Sequence, residues 1–123
     1  EMKKFYDSFD LLLNCSLRDS GCLVVMESMS RGLPVICVNT GGPQVNTTSD
    51  TAIKIDPKPF QNMAEEIAQA LIDLAEDSLK RYSLAQNSYE YACENFSISN
   101  KINNFLYVYD EVVKSEENLE NGL

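Results

Sequence analysis

Arg18-Asp19-Ser20-Gly21-Cys22-Leu23-Val24-Val25-Met26-Glu27-Ser28-Met29-Ser30-Arg31-Gly32-Leu33-Pro34-Val35-Ile36 decides the fold. Two carboxylates, Asp19 and Glu27, stand on either side of a glycine and an apolar run. Gly32 suits the left-handed position that closes a helix, and Pro34 stops any continuation. A helix over residues 23–30 is therefore predicted. Val35-Ile36-Cys37-Val38 follows, short and apolar on both faces. Such strands belong to parallel sheets covered on both sides.

Working outward, Leu11-Leu12-Leu13-Asn14-Cys15 reads as a buried strand, and Ser16 to Gly21 as a polar loop. Thr40-Gly41-Gly42-Pro43 reads as a turn, and Ala52-Ile53-Lys54-Ile55-Asp56 as a third strand nearer an edge. After Pro57 and Pro59 the pattern switches to the helical period. Asn62 with Glu65 resembles a capping box. Met63, Ile67, Ala70, Leu71 and Leu74 form one apolar stripe. Asp77-Ser78 starts a second helix, with a stripe of Tyr82, Ala85, Tyr89, Ala92, Cys93 and Phe96. Ser97 or Ser99 caps a last helix that carries Ile102, Phe105, Tyr109, Val112 and Val113 on one face.

The predicted fold class is α/β: a partial Rossmann-like parallel sheet of about three strands, followed by C-terminal helices. Complete doubly wound domains have about five or six strands, so this is about half of one. Residues 1–114 are expected to form one domain part, and 115–123 an acidic flexible tail. The open first strand offers an edge through which the fragment could dimerise.

Composition narrows the function. The chain has 123 residues, a net charge of −9 and no histidine. That argues against nucleic acid, which needs a basic footprint. It also rules out Ser-His and Cys-His dyads and histidine-based zinc sites within the chain. Cys15, Cys22, Cys37 and Cys93 lack the short spacings of metal knuckles or redox motifs. They read as buried free thiols in a reducing, cytoplasmic compartment. No apolar run approaches the roughly 20 residues that span a bilayer. The N-terminus does not read as a signal peptide. Glu1 stands where an initiator methionine would, so either processing or an imposed boundary is expected, with the imposed boundary preferred.

Ligands of open α/β sheets bind beyond the carboxyl ends of the strands. The loops at Asp19–Cys22 and Thr40–Pro43 should therefore line one crevice. The helix that starts near Gly21 or Cys22 points its N-terminus into it, where free N–H groups and the dipole favour a phosphate. Gly21 would allow a close backbone approach. Glu27 lies about one and a half turns into that helix among Val24, Val25, Met26 and Met29. Two readings stay open on these grounds: a solvent-facing glutamate, or a partly buried one that needs partners such as paired ribose hydroxyls.

The run from Ser16 to Val38, with the Gly41-Gly42 turn, closely resembles the signature of retaining, sucrose-synthase-like glycosyltransferases. These are glycosyltransferase family 4, the glycosyl transferases group 1, of GT-B fold. The resemblance implies the C-terminal part of a donor-binding domain. It implies an enzyme that transfers a sugar from a UDP- or GDP-sugar to a saccharide or lipid acceptor. By that resemblance Glu27 holds the ribose hydroxyls. Backbone N–H groups around Ser20, Gly21, Cys22 and Leu23 cradle the diphosphate. Asp19 lies beside the donor sugar as the catalytic candidate. No metal and no cofactor are implied.

Three departures stand out: Asp19 replaces the usual Glu, Cys22 replaces a glycine, and Gln44 or Val45 stands where an acid is common. The family's basic pair and its N-terminal acceptor domain would lie upstream of Glu1, so the fragment alone is expected to be inactive. Peripheral membrane association of the parent is a further expectation. The rival reading is a degenerate, non-catalytic α/β interaction module.

Overall fold

A computed structural model describes the backbone of residues 2–120 and the side chains of residues 4–115. Two compact units result, Glu1–Cys93 and Glu94–Leu123.

The first unit is built on three parallel strands, β1 (Leu12–Asn14), β2 (Val35–Val38) and β3 (Ala52–Ile55), in the order β1-β2-β3. Leu12, Leu13 and Asn14 pair in register with Val35, Ile36 and Cys37, and these with Ala52, Ile53 and Lys54. The expected partial sheet with C-terminal helices is present. The described helices are α1 (Met2–Tyr6), α2 (Leu23–Met29), α3 (Gly41–Asn46), α4 (Phe60–Glu76), α5 (Ser78–Asn95) and α6 (Ile98–Glu120).

Alternation along β2 separates two faces. Ile36 and Val38 join Ile55, Met63, Ala70, Leu74 and Leu84 in the core beneath α4. Cys37 points the other way, to Thr47 at the end of α3. Lys54 shares that face by register and donates from Nζ to the Gln44 and Thr47 carbonyls, both at 3.0 Å. A cation there meets the partial negative charge of the α3 C-terminus. β2 is buried at all four positions, as its composition requires. Leu13, on the open edge strand, is 38% exposed.

The end of α2 follows the sequence closely. Gly32 takes φ +68, its N–H reaches the Met29 carbonyl at 2.9 Å, and the Leu33 N–H reaches the Ser28 carbonyl at 3.1 Å. This pairing satisfies carbonyls that a helix end leaves free. At the start of α5 the Asp77 carboxylate accepts the Lys80 N–H at 2.9 Å, as an N-cap should.

Four expectations need correction. Thr40–Pro43 is not a simple turn: α3 starts at Gly41, and Pro43 fits because the first helical turn needs no donor from it. The capping box at Asn62 is absent. Here α4 starts at Phe60 after Pro59 with no side-chain cap, so Asn62 already lies in the first turn. The α5 stripe is displaced: Leu84, Ser88 and Ala92 are buried, whereas Tyr82 and Tyr89 are exposed. Ser88 can be buried because its hydroxyl donates to the Thr51 carbonyl at 2.6 Å. Finally, all four thiols are free but only Cys22 and Cys37 are buried; Cys15 and Cys93 are exposed.

In the second unit Ser97 Oγ accepts the Asn100 N–H at 3.2 Å, so the α6 cap falls on Ser97. The apolar residues of α6 from Ile98 to Val113 are at least half exposed. The tail expected at 115–123 lies almost wholly outside the described side chains.

Candidate functional site

The loop after β1 begins at Asn14, buried at the strand end. Its Oδ1 accepts the Ser16 N–H at 2.9 Å, and its Nδ2 donates to Cys22 Sγ at 3.0 Å. One amide thus bridges the two ends of the loop. A polar residue closing an apolar strand was the sequence signal for this role. It becomes legible only once Cys22 is known to fold back.

Asp19 is the hub. Its Oδ1 accepts the Cys22 N–H at 2.8 Å, and its main-chain carbonyl accepts the Gly42 N–H at 2.6 Å. The first bond shapes the loop into α2. The second ties the loop after β1 to the loop after β2. Asn46 Nδ2 adds a bond to the Gly21 carbonyl at 3.0 Å. The two strand-end loops therefore form one surface.

Glycine matters here, though not where the sequence suggested. A Cβ on Gly21 would meet nothing within 4 Å, so no close approach requires that glycine. A Cβ on Gly41 would lie 2.5 Å from the Asp19 carbonyl oxygen, at φ +56. Gly42 is also tight, 3.0 Å from Cys22 Cβ and 3.1 Å from the Ser20 carbonyl.

Cys22, where a glycine was expected, adopts φ 46 and ψ 50, the left-handed conformation that disfavours a side chain. It forms the N-cap of α2 with no side-chain cap bond. The helix itself supplies no partners for the Leu23 and Val24 N–H groups, which are left as donors at its start. The Cys22 N–H is already engaged by Asp19, so it differs from its neighbours. Burial, aided by the Asp19 carboxylate, pushes the Cys22 thiol up to about 11. It stays protonated and is a poor nucleophile at neutral pH.

Glu27 is exposed rather than partly buried, because the α2 face that packs carries Val25, Ser28 and Met29. It is nonetheless held: Tyr6 donates its phenol proton to Oε2 at 2.6 Å. No hydrogen bond joins Glu27 to the Asp19–Cys22 loop among the described residues. Asp19, Gly21 and Cys22 are thus brought together with Gly42 and Asn46, and Glu27 stands further along the same helix. Ser20 and the Leu23 side chain are exposed beside the loop. Tyr6, Asn14, Gly41, Gly42 and Asn46 shape this site, and the sequence offered no local sign of the Tyr6 contact.

Among the described residues no helix is long and apolar enough to cross a membrane. No group of three or more Cys, Asp or Glu there could hold a metal ion.

Comparison with known proteins places the fold and the family. The C-terminal domain of the glycosyl transferase group 1 family protein LpcC from Francisella tularensis is 26% identical, with a TM-score of 0.68. The match covers 80% of this chain and 49% of that domain. HepE of Anabaena, solved in complex with UDP-glucose, is 19% identical with a TM-score of 0.76, over 88% of this chain and 29% of HepE. Sucrose-phosphate synthase from Thermosynechococcus elongatus is 20% identical with a TM-score of 0.71, over 90% of this chain and 27% of that enzyme. The chain thus spans about half of the first structure and under a third of the other two. No curated protein sequence matches it. These folds are C-terminal domains of GT-B glycosyltransferases. Residues 1–91 match the family described as Glycosyl transferases group 1, and the chain belongs to that family.

Proposed function

We propose that this chain is the nucleotide-sugar-binding part of a retaining glycosyltransferase. The parent enzyme transfers a sugar from a UDP- or GDP-sugar to a saccharide or lipid acceptor in the cytoplasm. The observation that carries this reading is the joining of the β1 and β2 loops at the uncapped start of α2, through the Asp19 carbonyl and the Gly42 N–H. Ligands of open parallel sheets bind at such a place. The solved UDP-glucose complex of HepE, which shares the fold, supports a nucleotide-sugar donor.

In this reading the Leu23 and Val24 N–H groups face the donor diphosphate. They stabilise charge that builds on the leaving group as the glycosidic bond breaks. Glu27 accepts the ribose hydroxyls. Asp19 keeps Oδ2 for the sugar while Oδ1 shapes the loop. The acceptor site and the basic pair belong to the rest of the parent polypeptide, so this chain alone binds weakly and does not turn over.

Calorimetric titration of the full polypeptide with UDP tests the reading. Glu27→Ala should weaken binding more than Asp19→Ala does; equal dissociation constants would sink that division of roles. A second reading, a non-catalytic interaction module of the same fold, is favoured by the left-handed Cys22 and by the engagement of Asp19 Oδ1 within the loop. Product formation from any nucleotide sugar would eliminate it.

A further inference from the structure

We propose that Tyr6 is a positioning residue for Glu27, orienting its carboxylate to take a ribose diol; this rests on the reading of Glu27 given above. The two residues are 21 positions apart and come from different helices, so no local motif joins them. Tyr6 is 7% exposed. Its ring meets Phe5 edge-to-face, with centroids 5.8 Å apart. It also lines an apolar pocket with Phe9, Leu12, Val24 and Leu33. The aromatic body is thus buried, and the hydroxyl is presented from it to Glu27.

Glu27 has no such support of its own. An exposed glutamate on a helix samples many rotamers, and a ligand that needs one of them must restrict the rest. The Tyr6 O–H bond to Oε2 imposes that restriction in advance. It occupies one lone pair of Oε2 and leaves the other, with both on Oε1, for two hydroxyl donors. Two adjacent hydroxyls on a five-membered ring match that remaining capacity. The phenol remains a donor across the physiological range, since the bond to Glu27, burial and the Glu27 charge push it up to about 12.

A purely structural role, pinning α1 to α2, would also use this bond. The two roles separate by the ligand. In the full polypeptide, affinity for UDP is compared with affinity for 2′,3′-dideoxy-UDP, which lacks the diol. Tyr6→Phe keeps the ring and removes the proton. It should weaken UDP about three- to tenfold, the worth of one hydrogen bond, and leave dideoxy-UDP unchanged. Glu27→Ala should abolish the preference for UDP altogether. A wild-type preference in Tyr6→Phe, with the preference lost in Glu27→Ala, overturns the role of Tyr6 alone. A preference retained in Glu27→Ala overturns the ribose reading itself. Should Tyr6→Phe not fold, a fluorinated tyrosine at position 6 keeps the shape and ionises at lower pH. The preference for UDP should then fall as pH rises through that ionisation, and a flat profile overturns the proposal.

Discussion

Replacing Gly41 by alanine strikes the joint between the two loops. The new Cβ would lie 2.5 Å from the Asp19 carbonyl oxygen, about 1 Å inside ordinary contact. That oxygen already accepts the Gly42 N–H at 2.6 Å, so retreat breaks the bond that ties the loops. Loss of one such bond costs about 1 kcal/mol. Holding alanine at φ +56 costs about 1–2 kcal/mol more. The total is about 2–3 kcal/mol, which for a unit of this size lowers Tm by roughly 10–20 °C. Gly21→Ala is the control, because its Cβ meets nothing and its φ is not positive. It should change stability by less than about 1 kcal/mol, in either direction. Urea denaturation and thermal melts of both variants measure the difference. Equal losses would refute the claim that Gly41, not Gly21, is the position where backbone must approach backbone.

Other outcomes are expected. At Cys22 the left-handed backbone should make Cys22→Gly more stable than Cys22→Ala by about 1 kcal/mol in urea, the reverse of the usual helix preference. A thiol reagent should label Cys15 and Cys93 in the native chain, and Cys22 and Cys37 only after unfolding. Tyr6 holds its proton more tightly in the folded state, so its contribution to stability is complete below pH 10 and is lost as pH rises from there to about 12. Denaturation midpoints across that range should fall more steeply for the wild type than for Tyr6→Phe.

The strands and the α2 boundary were legible because their signals are local. Val35–Val38 is apolar at every position, and Gly32 with Pro34 permits one helix end. The α4 stripe was legible for the same reason, since Met63, Ala70 and Leu74 repeat with the helical period. The α5 stripe was not, because Ser88 is buried through a bond to the Thr51 carbonyl, a contact that the local pattern does not show. Gly41-Gly42-Pro43 read as a turn because its composition does not show that the glycines serve close packing against Asp19. The site was half legible. Asp19, Cys22 and Glu27 were singled out by the resemblance to the family signature rather than by spacing alone. Their partners Tyr6, Asn14 and Asn46 did not, because those contacts exist only after the sheet has formed.

The sheet order β1-β2-β3 repeats the order of the sequence. Each new strand is therefore added beside the one just completed, across a connection of fewer than about 25 residues, and no segment must thread past an earlier one. Loop-closure costs stay low for a parallel sheet. Growth during synthesis runs in one direction, from β1 toward β3. Until Ala52–Ile55 emerges, the fully apolar β2 presents one unpaired side. A pause in synthesis after residues 35–38 have left the ribosome, but before residues 52–55 have done so, would prolong that exposure, making this the interval in which a nascent chain most needs a chaperone.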